Sequence, residues 1–142
     1  MRYRTTVRSN RPPDEVFDYL AEFSNTVAWD PSVTRAERLD AGPLALGSLR
    51  RLIVSLGRRE VTLDYRVYAL DRPRHVDLRA NGPLIRLRDS IYLVPDGAGT
   101  LVDYEVTAFL RAMGKPLTPW LRRRFRRGCA LASEGLSREL NA

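Results

Sequence analysis

The sequence predicts an α+β domain: a curved antiparallel sheet of six or seven strands wrapped around one long C-terminal helix, with two short helices after the first strand. Three observations carry this. Apolar and polar residues alternate with period two in successive segments between residues 33 and 110. The period then changes to steps of three and four over residues 115–140. The strand-like segments are joined by only a few turn-forming residues, which favours antiparallel neighbours. At 142 residues, the chain is read as one domain spanning 1–142.

The elements follow in order. Residues 2–8 read as a strand with Tyr3, Thr5 and Val7 on one face. Pro12 and Pro13 followed by Asp14 and Glu15 signal a helix start, and Val16, Phe17 and Leu20 fall at helical spacing. A second short helix is expected from Ser24 or Asn25, as N-cap, to about Trp29, stopped by Pro31. Strands are expected at 33–39, 48–56, 60–70, 75–80, 84–94 and 100–110, punctuated by turns such as Asp40–Pro43, Asp71–Arg74 and Pro95–Gly99. The final helix starts near Lys115, with Pro116 and Pro119 early in it. Leu117, Leu121, Phe125, Cys129, Ala132, Leu136 and Leu140 form its apolar stripe, and Gly128 and Gly135 permit close approach of a sheet or a ligand. A curled sheet and a single helix do not fill the space between them, so a cavity is expected, lined by the inward residues.

Composition excludes several classes. One cysteine, Cys129, and one histidine, His75, leave no intrachain disulfide and no Cys-rich or His-rich metal site, so no metal or cofactor is expected. No apolar run approaches the ~18 residues of a membrane span, and no apolar stretch follows Met1–Arg4 as a secretory signal would. A cytoplasmic location is the default expectation. The net charge is +7, but of 24 basic residues Lys115 is the single lysine. Such an arginine bias arises from a GC-rich genome without a function behind it, and nucleic acid is disfavoured as a partner.

Four segments carry a family resemblance: Pro12–Ala21, Trp29-Asp30-Pro31-Ser32-Val33, Gly47-Ser48 and Ala98–Tyr104. With them the chain resembles, over nearly its whole length, the START-like superfamily of polyketide cyclase/dehydrase and lipid-transport proteins. The resemblance implies the helix-grip fold shared with birch-pollen-type allergens. It carries over no catalytic signature, because the family spans cyclases, aromatases, hydrolases, receptors and carriers.

Asp89 is the most informative residue. Its strand face otherwise holds Ile85, Leu87, Ile91 and Leu93. A carboxyl there is costly unless bonded, paired or protonated, and desolvation would raise its pKa toward that of a general acid or base. The competing reading is a bulge that turns it outward, or pairing with Arg51 or Arg79. Tyr65 and Tyr104 also face inward, either as donors to a ligand carbonyl or as ordinary core tyrosines. Arg51 could hold a ligand oxygen, although the alternative face of its strand, Leu52, Val54 and Leu56, leaves its direction open. Leu63, Val67, Leu78, Leu87, Ile91 and Val106 are expected to line the cavity from the sheet, and Leu121 and Phe125 from the helix. The resemblance places Trp29 and Trp120 at the cavity mouth, where either could stack on a planar ligand. His75 has a parity opposite to Val76 and Leu78 and points to solvent, and Cys129 reads as a small buried hydrophobe.

The functional expectation is a cavity that binds an apolar, oxygenated, polyketide-like molecule and assists ring closure or dehydration. In it Asp89 moves a proton, and Tyr65 or Tyr104 polarises a carbonyl. The alternative is a non-catalytic carrier of lipid-like or other hydrophobic ligands. A weak contact between the basic C-terminal helix and an anionic membrane is a further expectation. Monomer and homodimer both remain open.

Overall fold

A computed structural model of the protein describes residues 1–110 and 118–142. Its strands are β1 (Arg2–Ser9), β2 (Val33–Arg38), β3 (Leu49–Leu56), β4 (Arg59–Asp71), β5 (His75–Asn81), β6 (Ile85–Asp96) and β7 (Gly99–Leu110). Helices α1 (Pro13–Ala21) and α2 (Thr26–Trp29) follow β1, with a 3-10 turn over Phe23–Asn25 between them, and α3 (Thr118–Leu140) closes the chain. The expected start of α3 at residues 115–117 lies outside the described residues.

The seven strands form one antiparallel sheet in the order β1-β7-β6-β5-β4-β3-β2. Each of β2 to β7 pairs with its sequence neighbour, and β1 closes the far edge against β7, with Tyr3 opposite Val106 and Thr5 opposite Tyr104. The predicted alternation therefore holds along β6 and β7 and along β4 as far as Val67, where a register shift before Ala69 turns Leu70 instead toward the core. Val61, Leu63, Tyr65 and Val67 are buried on β4, while Thr62, Arg66 and Tyr68 point to solvent.

α1 begins as its sequence dictates. Pro13 occupies the first turn, Asp14 and Glu15 face the positive helix end, and Val16 and Phe17 are buried. The expected side-chain cap of α2 is absent: Asn25 caps it by position only, and its Nδ2 donates to the Tyr19 carbonyl at 3.0 Å. Glu22 caps the preceding 3-10 turn instead, accepting from Ser24.

The inner face of the sheet is divided. At one end, Val67, Leu78, Val76, Ile91 and Leu93 pack with Val16, Phe17 and Phe23 into a sealed core. At the other end the sheet and α3 do not meet, and a cavity remains. The C-terminal end of α3 is fixed to β1. The Leu140 carbonyl accepts from Ser9 Oγ at 2.8 Å, Asn141 Nδ2 donates to the Arg8 carbonyl at 2.8 Å, and Leu136 and Leu140 are fully buried. Gly135 lies against α2 so closely that a Cβ there would meet the Trp29 carbonyl oxygen at 2.0 Å. Gly128, one of the two helix glycines read from the sequence, has nothing within 4 Å of such a Cβ and borders the cavity.

Candidate functional site

The cavity has a volume of about 540 Å³, within the range of small-molecule pockets. Its depth is marked on three strands, β4, β6 and β7. On β4, Tyr65 lines it and Val67 does not; on β6, Asp89 does and Ile91 does not; on β7, Tyr104 does and Val102 does not. Tyr65, Asp89 and Tyr104 are thus the deepest lining residues of their strands and form the floor. Leu63, Leu87 and Val106 line the walls from the same strands, Leu121 and Phe125 from α3, and Trp29 from the end of α2.

Asp89 is inward-facing and 5% exposed. No bulge interrupts β6 there: it pairs in regular register with Leu78 on one side and Val106 on the other. Neither expected arginine reaches it. Arg51 is bound to Asp64, and Arg79 lies over the Tyr68 ring at 4.3 Å. One Asp89 oxygen, Oδ2, accepts from the Tyr104 hydroxyl at 2.6 Å, while Oδ1 has no hydrogen-bond partner among the described residues. Burial pushes the Asp89 carboxyl up to about 7; the Tyr104 bond opposes this, and the charges of Asp30 and Asp77 add to it. Burial, with the Asp89 carboxylate beside them, holds both Tyr65 and Tyr104 well above the usual phenol range, so both remain donors at neutral pH. Trp29 meets Tyr104 edge-on at 6.3 Å, and Phe23 meets Tyr65 likewise at 5.7 Å, fixing both rings.

Five expected cavity residues lie elsewhere. Arg51 is on the outer face of β3, paired with Asp64 at 2.7 and 3.1 Å, because Leu52, Val54 and Leu56 take the inner face. Val67, Leu78 and Ile91 do face inward, but they are buried in the hydrophobic core and do not line the cavity. Trp120 is 48% exposed; its ring lies beside Gly57 in the β3–β4 turn and under the Arg124 guanidinium at 5.3 Å, outside the cavity. His75 is on the outer side, as its parity indicated, stacked on Tyr92 at 4.0 Å. Cys129 borders the cavity, and burial pushes its thiol up to about 12, which leaves it un-ionised and a poor nucleophile.

Sequence reasoning missed Asp30. It lines the cavity and is pushed up by burial, although its Oδ1 accepts from Ser32 N at 2.9 Å and Ser32 Oγ at 2.7 Å. The signal was present in Asp30-Pro31-Ser32, where an aspartate two residues before a serine favours this local turn. Arg124 and Arg127 were also missed as lining residues, because helical spacing assigned them wholly to solvent. Among the described residues, no group of three or more His, Cys, Asp or Glu side chains is placed to hold a metal ion.

The family model described as "Polyketide cyclase / dehydrase and lipid transport" matches residues 1–140. The chain belongs to this family. Solved structures agree on the fold of this polyketide cyclase/dehydrase and lipid-transport domain. A protein of Thermus thermophilus superposes with a TM-score of 0.82 at 15% identity, covering 99% of this chain and 97% of the other. The Zhui aromatase/cyclase of a Streptomyces species gives 0.80 at 19% identity, covering 99% and 93%. A START superfamily protein of Mycobacterium smegmatis gives 0.75 at 18% identity, covering 99% of each chain. No curated protein matches the chain in sequence. No helix among the described residues is long and apolar enough to cross a membrane.

Proposed function

We propose that the cavity binds an apolar, oxygen-bearing small molecule of polyketide type and assists its cyclisation or dehydration. The observation that carries this reading is the buried Asp89 carboxyl in the cavity lining, tethered through Oδ2 and with Oδ1 unpartnered among the described residues. A group titrating near 7 is present in both proton states at neutral pH, which suits transfer in either direction. In ring closure, the carboxylate takes a proton from a methylene flanked by carbonyls. The resulting carbanion adds to a second carbonyl, and the carboxyl returns the proton to the new alkoxide. In loss of water, the same oxygen protonates the departing hydroxyl after the adjacent carbon has surrendered its proton. The Tyr65 hydroxyl is placed to donate to the enolate oxygen. Folding a flexible chain into an apolar enclosure supplies proximity, the larger share of the acceleration in such a reaction.

The test is turnover of a linear poly-β-ketone analogue. Asp89→Asn is expected to lower the rate by about 100-fold or more, the usual contribution of a positioned acid or base, with affinity changed by no more than a few fold. Equal turnover in both proteins overturns the catalytic reading. The carrier reading draws on the apolar walls and on the exposed basic face of α3 beside the opening. It predicts co-purified ligand visible by native mass spectrometry, and binding to anionic vesicles that falls steeply with salt.

A further inference from the structure

The cavity segregates its charges. Its floor holds a carboxyl and two phenols, Asp89, Tyr65 and Tyr104, and the Asp30 carboxyl also lines it. Its two lining arginines, Arg124 and Arg127, both come from α3 and both are exposed, which places them at the opening; Met1, whose ammonium donates to the Ala108 carbonyl at 2.9 Å, also lines it. Three residues apart, they project from one side of the helix. Among the described residues neither has an acidic partner, and residues 118–133 contain no Asp or Glu. Several strand arginines, by contrast, are paired: Arg4 is bound to Asp103, Arg8 to Asp96 and Arg51 to Asp64. The Arg124 guanidinium lies 5.3 Å from the Trp120 ring centroid, a cation–π contact that does not consume its N–H groups.

We propose that the cavity takes an anionic amphiphile, its carboxylate or phosphate held by Arg124 and Arg127 at the opening and its apolar, oxygen-bearing body reaching to Asp89 and Tyr104. The inference rests on the cavity reading above and gives the ligand a direction. The reversed orientation would bury an anion beside two carboxyls, at high desolvation cost. A cationic amphiphile would meet the arginines on entry.

The experiment is displacement of the neutral fluorophore N-phenyl-1-naphthylamine from the full chain at pH 8 and low salt. The competitors are dodecanol, dodecanoate, dodecyl phosphate and dodecyltrimethylammonium. The two anions are expected to bind about tenfold more tightly than dodecanol, as charge-assisted hydrogen bonds would give. In the double variant Arg124→Gln/Arg127→Gln that advantage disappears, while dodecanol affinity stays unchanged and so reports an intact cavity. Displacement by soluble dodecyl phosphate assigns the anion to a free amphiphile. Sedimentation with phosphatidylglycerol vesicles by the wild type, but not the double variant, assigns it to a bilayer headgroup. An anion preference absent from both assays, or surviving the double variant, overturns the proposal. Failure of the fluorophore and dodecanol to bind at all removes the cavity reading itself, whereas bound dodecanol without an anion preference removes only the orientation.

Discussion

Asp89 couples the interior of the sheet to pH. Its folded-state pKa is about 7, against an ordinary 3.8, so the folded protein holds a proton that the unfolded chain releases. Stability contributed by this group is complete below about pH 4, declines as pH rises toward 7, and is gone above it. Three pKa units correspond to about 4 kcal/mol at most. Asp89→Asn mimics the protonated carboxyl and is therefore expected to raise the melting temperature at pH 8 and change it little at pH 4, as thermal melts at the two pH values would show. Tyr104→Phe removes the one hydrogen bond that favours the charged form. The apparent pKa of Asp89 is expected to move above 7, and the pH profile of turnover should move with it. A profile unchanged by Tyr104→Phe would contradict the assignment of Asp89 as the titrating group. The inward carboxyl was legible because one polar letter broke a clean apolar alternation. Its tether was not, since Tyr104 joins it only through the pairing of β6 with β7.

Among the elements, α3 shows where helical periodicity stops being informative. Leu121, Leu136 and Leu140 are buried, as the apolar stripe required. The two glycines, equal in the sequence, have opposite roles. Gly135 allows α3 to touch the backbone of Trp29, so Gly135→Ala must push the helices apart; an overpacking cost of about 1–3 kcal/mol outweighs the ~1 kcal/mol gained in helix propensity. Gly128→Ala meets nothing and is expected to stabilise by about 1 kcal/mol. Urea midpoints at constant slope distinguish the two signs. β3 gives the matching lesson for strands. Its run Leu49-Arg50-Arg51-Leu52-Ile53-Val54 has apolar residues on both faces, so alternation alone could not orient Arg51. The structure orients the strand by burying Leu52 and Arg50, the latter 2% exposed and bound to Asp40.

For the whole molecule, the fold was readable because seven strands, short turns and one terminal amphipathic segment allow few arrangements. The partition of the inner face was not readable, since Val67 and Leu63 have the same letter class and parity and differ only in what stands opposite. The first is closed into the core, and the hollow adjoins the second. A large side chain at the wall, Leu87→Trp, is expected to abolish fluorophore binding while far-ultraviolet circular dichroism stays unchanged.

The fastening of the C-terminal end of α3 bears on how a guest would enter under the proposed binding role. Its last turns are bolted to β1 by Ser9, Asn141 and two buried leucines, whereas residues 122–127 overhang the hollow with Phe125 alone partly covered. On the proposed binding role, the exposed stretch over 122–127 is the part of α3 expected to yield to an entering molecule, without global unfolding. Amide exchange should be slowest over 136–140 and quicker over 122–127, and saturation with a bound molecule should slow the second group alone.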